Sequence, residues 1–198
     1  MPGARPARPD RDRFPIIGHA IVSADGMIAD AAGEMPPELR NDADFALFQA
    51  ALDQASVVVL GSIGHRRHPN PGRRRLVFTS RVTKLTADEA DPLAAFCNPG
   101  TMVLGNVLRE MDVADGVIAV TGGRMVFDHF LPLFDEFLLA EANGFVLPGG
   151  IQCFSGAHPR EALARSGLEP AETRTIDAAN QVTLTRWVLR TRGPSRTG

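Results

Sequence analysis

Four short stretches of this chain carry groups able to do chemistry. Asp44 and Phe48 lie four residues apart, so on a helix they are surface neighbours and set an acid beside an aromatic ring. An acid near an apolar cleft is suited to assist proton movement at a bound molecule. Arg73, in Pro71-Gly72-Arg73, offers a planar guanidinium fork that matches a carboxylate. Thr79, Ser80 and Arg81 group two hydroxyls with a guanidinium, a set that suits a phosphate dianion. Thr121, Gly122 and Gly123, followed by Arg124 and Met125, close an apolar run. Glycine at a strand tip lets backbone approach a ligand, and the N–H groups opening the next helix favour an anion. The residues alone leave plainer readings open. An aspartate belongs in a first helical turn for the dipole's sake, Arg73 sits among Arg74 and Arg75 in what reads as a basic surface turn, and Gly-Gly also makes tight turns.

The elements that must position these groups follow from the apolar pattern. Phe14 to Ser23 is an apolar run bounded by turn residues and predicts a buried strand, with a turn at Asp25-Gly26 and a brief return to extended chain. Residues 29–38, with Gly33, Pro36 and Pro37, form a loop. NDADFALFQAALDQ (41–54) predicts an amphipathic helix capped by Asn41, with Phe45, Phe48 and Leu52 as its buried stripe. SVVVLG (56–61) is a β-branched run stopped by glycine, as in the core of a parallel sheet. Residues 87–96 suggest a short helix interrupted at Pro92, 102–104 a small strand and 106–111 a helical turn or two. VIAVTGGRMVFDHFLPLFDEFLLAE (117–141) reads as strand, glycine turn, helix broken at Pro132, and strand. Nucleotide phosphates bind at the carboxyl ends of parallel strands in such arrangements. Residues 155–166 are partly helical, and 173–177 with 181–189 form a final antiparallel pair containing Trp187.

Bulk properties narrow the partners. A chain of 198 residues suits one domain with a sizeable core, and 44% hydrophobic with 22% charged residues is ordinary for a soluble protein. The net charge of −2 gives no reason to expect nucleic acid or an acidic membrane surface. Cys97 and Cys153 have no metal-ligand spacing, which leaves neither a zinc site nor a disulfide framework and points to a reducing cytoplasm. No apolar run is long enough to span a bilayer. Residues 1–13 and 191–198 read as a disordered arm and tail around a domain at 14–190.

GGRMVFDHFLP followed by LLAE resembles the glycine-pair motif and next strand of the dihydrofolate reductase superfamily, which includes the reductase domain of riboflavin biosynthesis. DFALF resembles the helix whose aspartate grips a pterin, and PGR with LVFTSR resembles that family's arginine turn and following strand; SADGMIAD looks closer to the riboflavin branch. The resemblance implies a single three-layer α/β domain with a mostly parallel central sheet, an antiparallel C-terminal edge strand and flanking helices. It implies an NADPH-dependent reductase that transfers hydride to a C=N bond, with dihydrofolate as the leading substrate. Asp44 is then the catalytic residue, and Ala20, Phe48 and Arg73 bind substrate. Gly61, Ser62, Thr79, Ser80, Arg81, Thr121, Gly122, Gly123, Arg124 and Met125 bind NADPH, with a cis peptide between the two glycines. No metal is implied, and the assembly would be a monomer or homodimer.

Several positions depart from the folate pattern. Pro37 replaces a frequent tryptophan, Ser62 replaces an arginine for which His65 or Arg66 could substitute, and Phe127 replaces a tyrosine. Ala140 replaces a threonine whose hydroxyl supports the helix aspartate. These changes keep two other readings open: a riboflavin-type reductase of an aminated ribosyl pyrimidine phosphate or other pterin, and a non-catalytic nucleotide-binding protein.

Overall fold

The computed structural model describes residues 9–68 and 70–190, so the expected tail and most of the expected arm lie outside the described residues. The last part of the arm is packed: Pro9 is buried, residues 11–13 form a turn, and Arg11 pairs with Asp135.

The long apolar runs became the centre of one nine-stranded sheet. In chain order the strands that matter most are β1 (Ile16–Ser23), β2 (Met27–Ala29), β3 (Ala55–Gly61), β4 (Arg75–Phe78), β5 (Thr86–Ala87), β6 (Ala94–Cys97), β7 (Val117–Gly122), β8 (Glu136–Ala142), β9 (Ile151–Gln152), β10 (Leu168–Asp177) and β11 (Val182–Leu189). The sheet order is β10-β11-β8-β1-β7-β3-β4-β6-β5, while β2 and β9 form a separate antiparallel pair. From β8 to β6 every pairing is parallel. The antiparallel members are β11 on β8, β10 on β11 and β5 on β6. Strands buried on both faces need apolar residues at every position, which is why β1, β3 and β7 read as unbroken runs rather than alternations.

Helices cover both faces. Helix α1 (Asp42–Asp53) packs Leu52 and Phe48 with Val58 and Ala119 on one side. On the other, α3 (Leu104–Glu110), α4 (Arg124–Phe130) and α5 (Pro159–Ser166) contribute to the main core, and α2 (Ser62–Arg67) follows β3 directly. That core holds a cluster of aromatic rings, Phe127, Phe130, Phe134, Phe137 and Phe154. Gly18 in β1 makes room for it: a Cβ there would lie 2.3 Å from Phe137 Cδ2 and 2.9 Å from Phe134 Cε1. The result is a three-layer α/β domain with a mostly parallel sheet and an antiparallel C-terminal edge. No helix among the described residues is long and apolar enough to cross a membrane.

Four local expectations are corrected. Phe45 is not in the buried stripe of α1 but 59% exposed, because Asp44 takes the inward position one residue earlier. Residues 87–96 hold no helix. Asp88 and Asp91 each accept from the backbone N–H two residues on, at Ala90 and Leu93, and these local turns outcompete helix and lead into β6. Residues 102–104 form no strand; a turn after Asn98 runs straight into α3. Arg75 does not belong to a basic surface turn: it is fully buried in β4 and paired with Asp91.

Candidate functional site

Because β3, β4 and β7 are parallel neighbours around a common register, their carboxyl ends lie together along one side of the sheet. Ten of the residues singled out above sit there: Gly61 and Ser62 where β3 ends, Thr79 to Arg81 after β4, and Thr121 to Met125 from the last residues of β7 into α4. The Thr121 hydroxyl donates to the Val59 carbonyl at 3.4 Å, tying the ends of β7 and β3. The glycine pair divides two tasks. Gly122 has φ +101°, and a Cβ there would meet the Phe127 ring at 2.5 Å, so this position serves turning and packing. A Cβ at Gly123 would meet nothing within 4 Å, so this backbone faces open space, beside an exposed Arg124 and a Met125 that is 82% exposed. The expected cis peptide is not present: the described peptide bonds are trans, and the positive φ at Gly122 redirects the chain instead.

Ser62, Thr79 and Arg81 line one cavity of about 540 Å³, together with His65, Arg66, Val82, Asp88 and Phe96. Ser80 is exposed beside it. His65 is buried, with Nε2 3.1 Å from Asp88 Oδ2 and its ring edge-on to Phe96. The backbone N–H of Ala90, and next the His65 ring, hold the Asp88 carboxyl below its ordinary range. The cavity is therefore cationic on balance, with two guanidiniums, one carboxylate and one imidazole around two hydroxyls.

On the α1 face of the sheet a second buried pair stands. Asn41 caps α1 by accepting from the Asp44 N–H at 3.0 Å, and its amide donates to Asp177 at the end of β10 at 2.8 Å. This cap fixes the first turn against the sheet and turns Asp44 inward, where it is 6% exposed. Its Oδ1 lies 3.0 Å from Nε2 of His19, a buried residue in the middle of β1. Phe48, one turn on, meets the His19 ring edge-on at 5.1 Å. Asp44 and Phe48 are thus brought together as expected of neighbours on one helix face. Ala20 is not brought to them: side chains alternate along a strand, so its methyl joins the core on the opposite face. The residue that reaches Asp44 is its neighbour, His19, which sequence reasoning missed. A histidine inside the apolar run IIGHAIVS was the available signal.

Arg73 lies against the C-terminal half of α1, one or more turns beyond Asp44. Its fork is engaged by Asp53 Oδ1 at 2.5 Å and by Gln49 Oε1 at 2.9 Å. The loop before α1 is strapped to α2, where Arg67 pairs with Glu34 at 2.5 Å and donates to the Gly33 carbonyl. Neither cysteine is a nucleophile candidate: burial pushes the Cys97 thiol up to about 11 and Cys153 well above its ordinary value.

No protein-family model and no curated protein matches the sequence. Solved structures do match in three dimensions. A riboflavin biosynthesis protein from Shewanella superposes with a TM-score of 0.63 at 15% identity, covering 89% of this chain and 99% of that one. A diaminohydroxyphosphoribosylaminopyrimidine deaminase/5-amino-6-(5-phosphoribosylamino)uracil reductase from Thermotoga maritima gives 0.64 at 16%, covering 91% of this chain and 58% of that longer one. Dihydrofolate reductase from Enterococcus faecalis, complexed with NADP(H) and RAB-propyl, gives 0.62 at 19%, covering 88% of this chain and 95% of that one. At these identities the match speaks for architecture, and by that measure the chain has the dihydrofolate reductase-like fold.

Proposed function

We propose that this protein is an NADPH-dependent reductase that delivers hydride to a C=N bond of a pterin-type heterocycle, with 7,8-dihydrofolate as the leading substrate. The observation that carries this reading is the buried Asp44, held by α1 against a sheet whose strand ends present an open glycine turn and a cationic cavity. An acid and an anion-binding track on one sheet are what such a reaction requires of a protein.

The residues present fit the cofactor. Ser62, Thr79 and Arg81, with Ser80 and Arg66 beside them, offer donors for a phosphate, and the open backbone at Gly123 lets a pyrophosphate approach closely. Gly61, Thr121, Gly122, Arg124 and Met125 shape the crevice between these two points. Bound NADPH would supply the hydride. Asp44 orients the heterocycle by accepting from its N–H groups and favours protonation of the ring nitrogen, either directly or through water. Phe48 packs against the ring, and the exposed Phe45 offers apolar surface one residue from the acid. Arg73 takes a terminal carboxylate at the other end of α1 if it releases Asp53. The Enterococcus enzyme's NADP(H) complex supports the choice of cofactor.

A second reading, reduction of an aminated ribosyl pyrimidine phosphate, is favoured by two observations. Ala140 is fully buried and offers no hydroxyl to Asp44, and the fork of Arg73 is already occupied. The test is loss of reduced-nicotinamide absorbance with dihydrofolate, an unconjugated dihydropterin and the ribosyl pyrimidine in turn. We expect turnover with dihydrofolate. Turnover of the pyrimidine alone replaces the first reading by the second, and NADPH binding without any turnover favours a nucleotide-binding protein.

A further inference from the structure

Among the described residues, His19 is the polar side chain that bonds Asp44 from the sheet, and its surroundings make its presence costly. Both side chains are nearly closed to solvent, at 5% and 9% exposure. The strand residue paired with His19 on β8 is Leu138, and Ile21 and Ala140 follow on the same face, so β8 provides no polar group there. Nδ1 of His19 is buried with no hydrogen-bond partner among the described residues. A buried ring nitrogen without a partner is a net penalty, and an aliphatic residue would fill this place in a strand without one. What the imidazole offers in return is a single directed bond. An ionised carboxylate only accepts, so Nε2 carries the hydrogen and donates to Oδ1. Oδ1 is thereby committed, the Asn41 cap holds the Asp44 backbone, and Oδ2 is the oxygen left to face a ligand.

We propose that His19 is a positioning residue for Asp44: its Nε2–H fixes one carboxylate oxygen from β1, taking over the support that the buried Ala140 cannot give from β8. The kinetic consequence rests on the reductase reading above; the positioning itself does not. The pair works as one unit, with His19 selecting the rotamer in which Asp44 presents Oδ2.

Two variants and two readouts test this. In His19→Leu, kcat with dihydrofolate falls by about ten- to a hundredfold, the scale expected when a reacting group is slightly misplaced, while KM for NADPH is unchanged. His19→Gln, whose side-chain amide can donate from nearly the same place, restores most of kcat. Equal kcat in wild type and His19→Leu overturns the proposal, as does a Gln variant no better than the Leu variant. The second readout needs no substrate. In protein labelled with carbon-13 at aspartate carboxyls, the Asp44 signal shifts in His19→Leu and returns toward wild type in His19→Gln. A signal that stays in place in the Leu variant overturns the proposal. If wild-type protein reduces no heterocycle, the reductase reading fails and the carboxyl signal still decides the role of His19.

Discussion

His19 and His65 make the same contact in two different settings. Each ring is buried, each bonds an aspartate through Nε2, each leaves Nδ1 without a partner, and each stands edge-on to a phenylalanine. The settings differ in charge and in access. His19 lies on an apolar sheet face, and Asp44 meets it from α1 above. His65 and Asp88 border a cavity with Arg66 and Arg81, and Asp88 is twice as exposed as Asp44, at 18% against 9%. A carboxylate in low dielectric has few competitors for what it meets, whereas one beside two guanidiniums only trims a field already set by them. The same pair of side chains is therefore suited to holding an acid at a heterocycle in one place and to moderating anion binding in the other.

The sharpest way to break this contrast is Asp44→Asn. It should lower kcat by at least ~10²-fold, the scale of acid–base assistance, and leave NADPH affinity unchanged by calorimetry. A variant with near wild-type turnover would remove Asp44 from the reaction and make the two pairs alike. Next in size is Arg81→Ala. It should raise KM for NADPH about tenfold, equivalent to roughly 1.4 kcal/mol, with KM for NADH unaffected. Equal effects on both cofactors would take the guanidinium away from the phosphate. The smallest effect belongs to Asp88→Asn and appears in stability. The folded-state value of Asp88 is held below its ordinary 3.8, so its stabilising share is full above that value and is lost as pH falls through the folded one. The variant should unfold more readily than wild type at neutral pH, and the two curves should converge in acid. Curves that stay parallel would mean that Asp88 is bonded no differently in the folded chain.

Much of the architecture could be read from the chain because its cause is local. The runs IIGHAIVS, ASVVVLG and VIAVTG announce strands buried on both faces, and Asn41 announces a cap, without any knowledge of neighbours. Residues 87–96 misled because their composition permits a helix, while the deciding interactions are the Asp88 and Asp91 turns and the ion pair to Arg75 in another strand. The site was legible in part. Ser62, Thr79 and Arg81, from separate stretches, line one cavity. His19 stayed hidden because its meaning lies 25 residues away in Asp44, and Ala20 drew attention although strand alternation sends its methyl to the other face. Phe45 shows the reverse error: hydrophobic spacing assigns it inward, whereas the Asn41 cap and the bond to His19 hold Asp44 in the inward position and leave Phe45 bare.

Gly18 carries a consequence for how far β1 could shift. Even a methyl group at that point in β1 would have to displace both Phe137 and Phe134. This stretch of β1 is thus held in place by two rings that meet edge to face behind it. The loop before α1 is held differently, by the surface ion pair of Glu34 with Arg67, so of the two segments it is the one with less to displace.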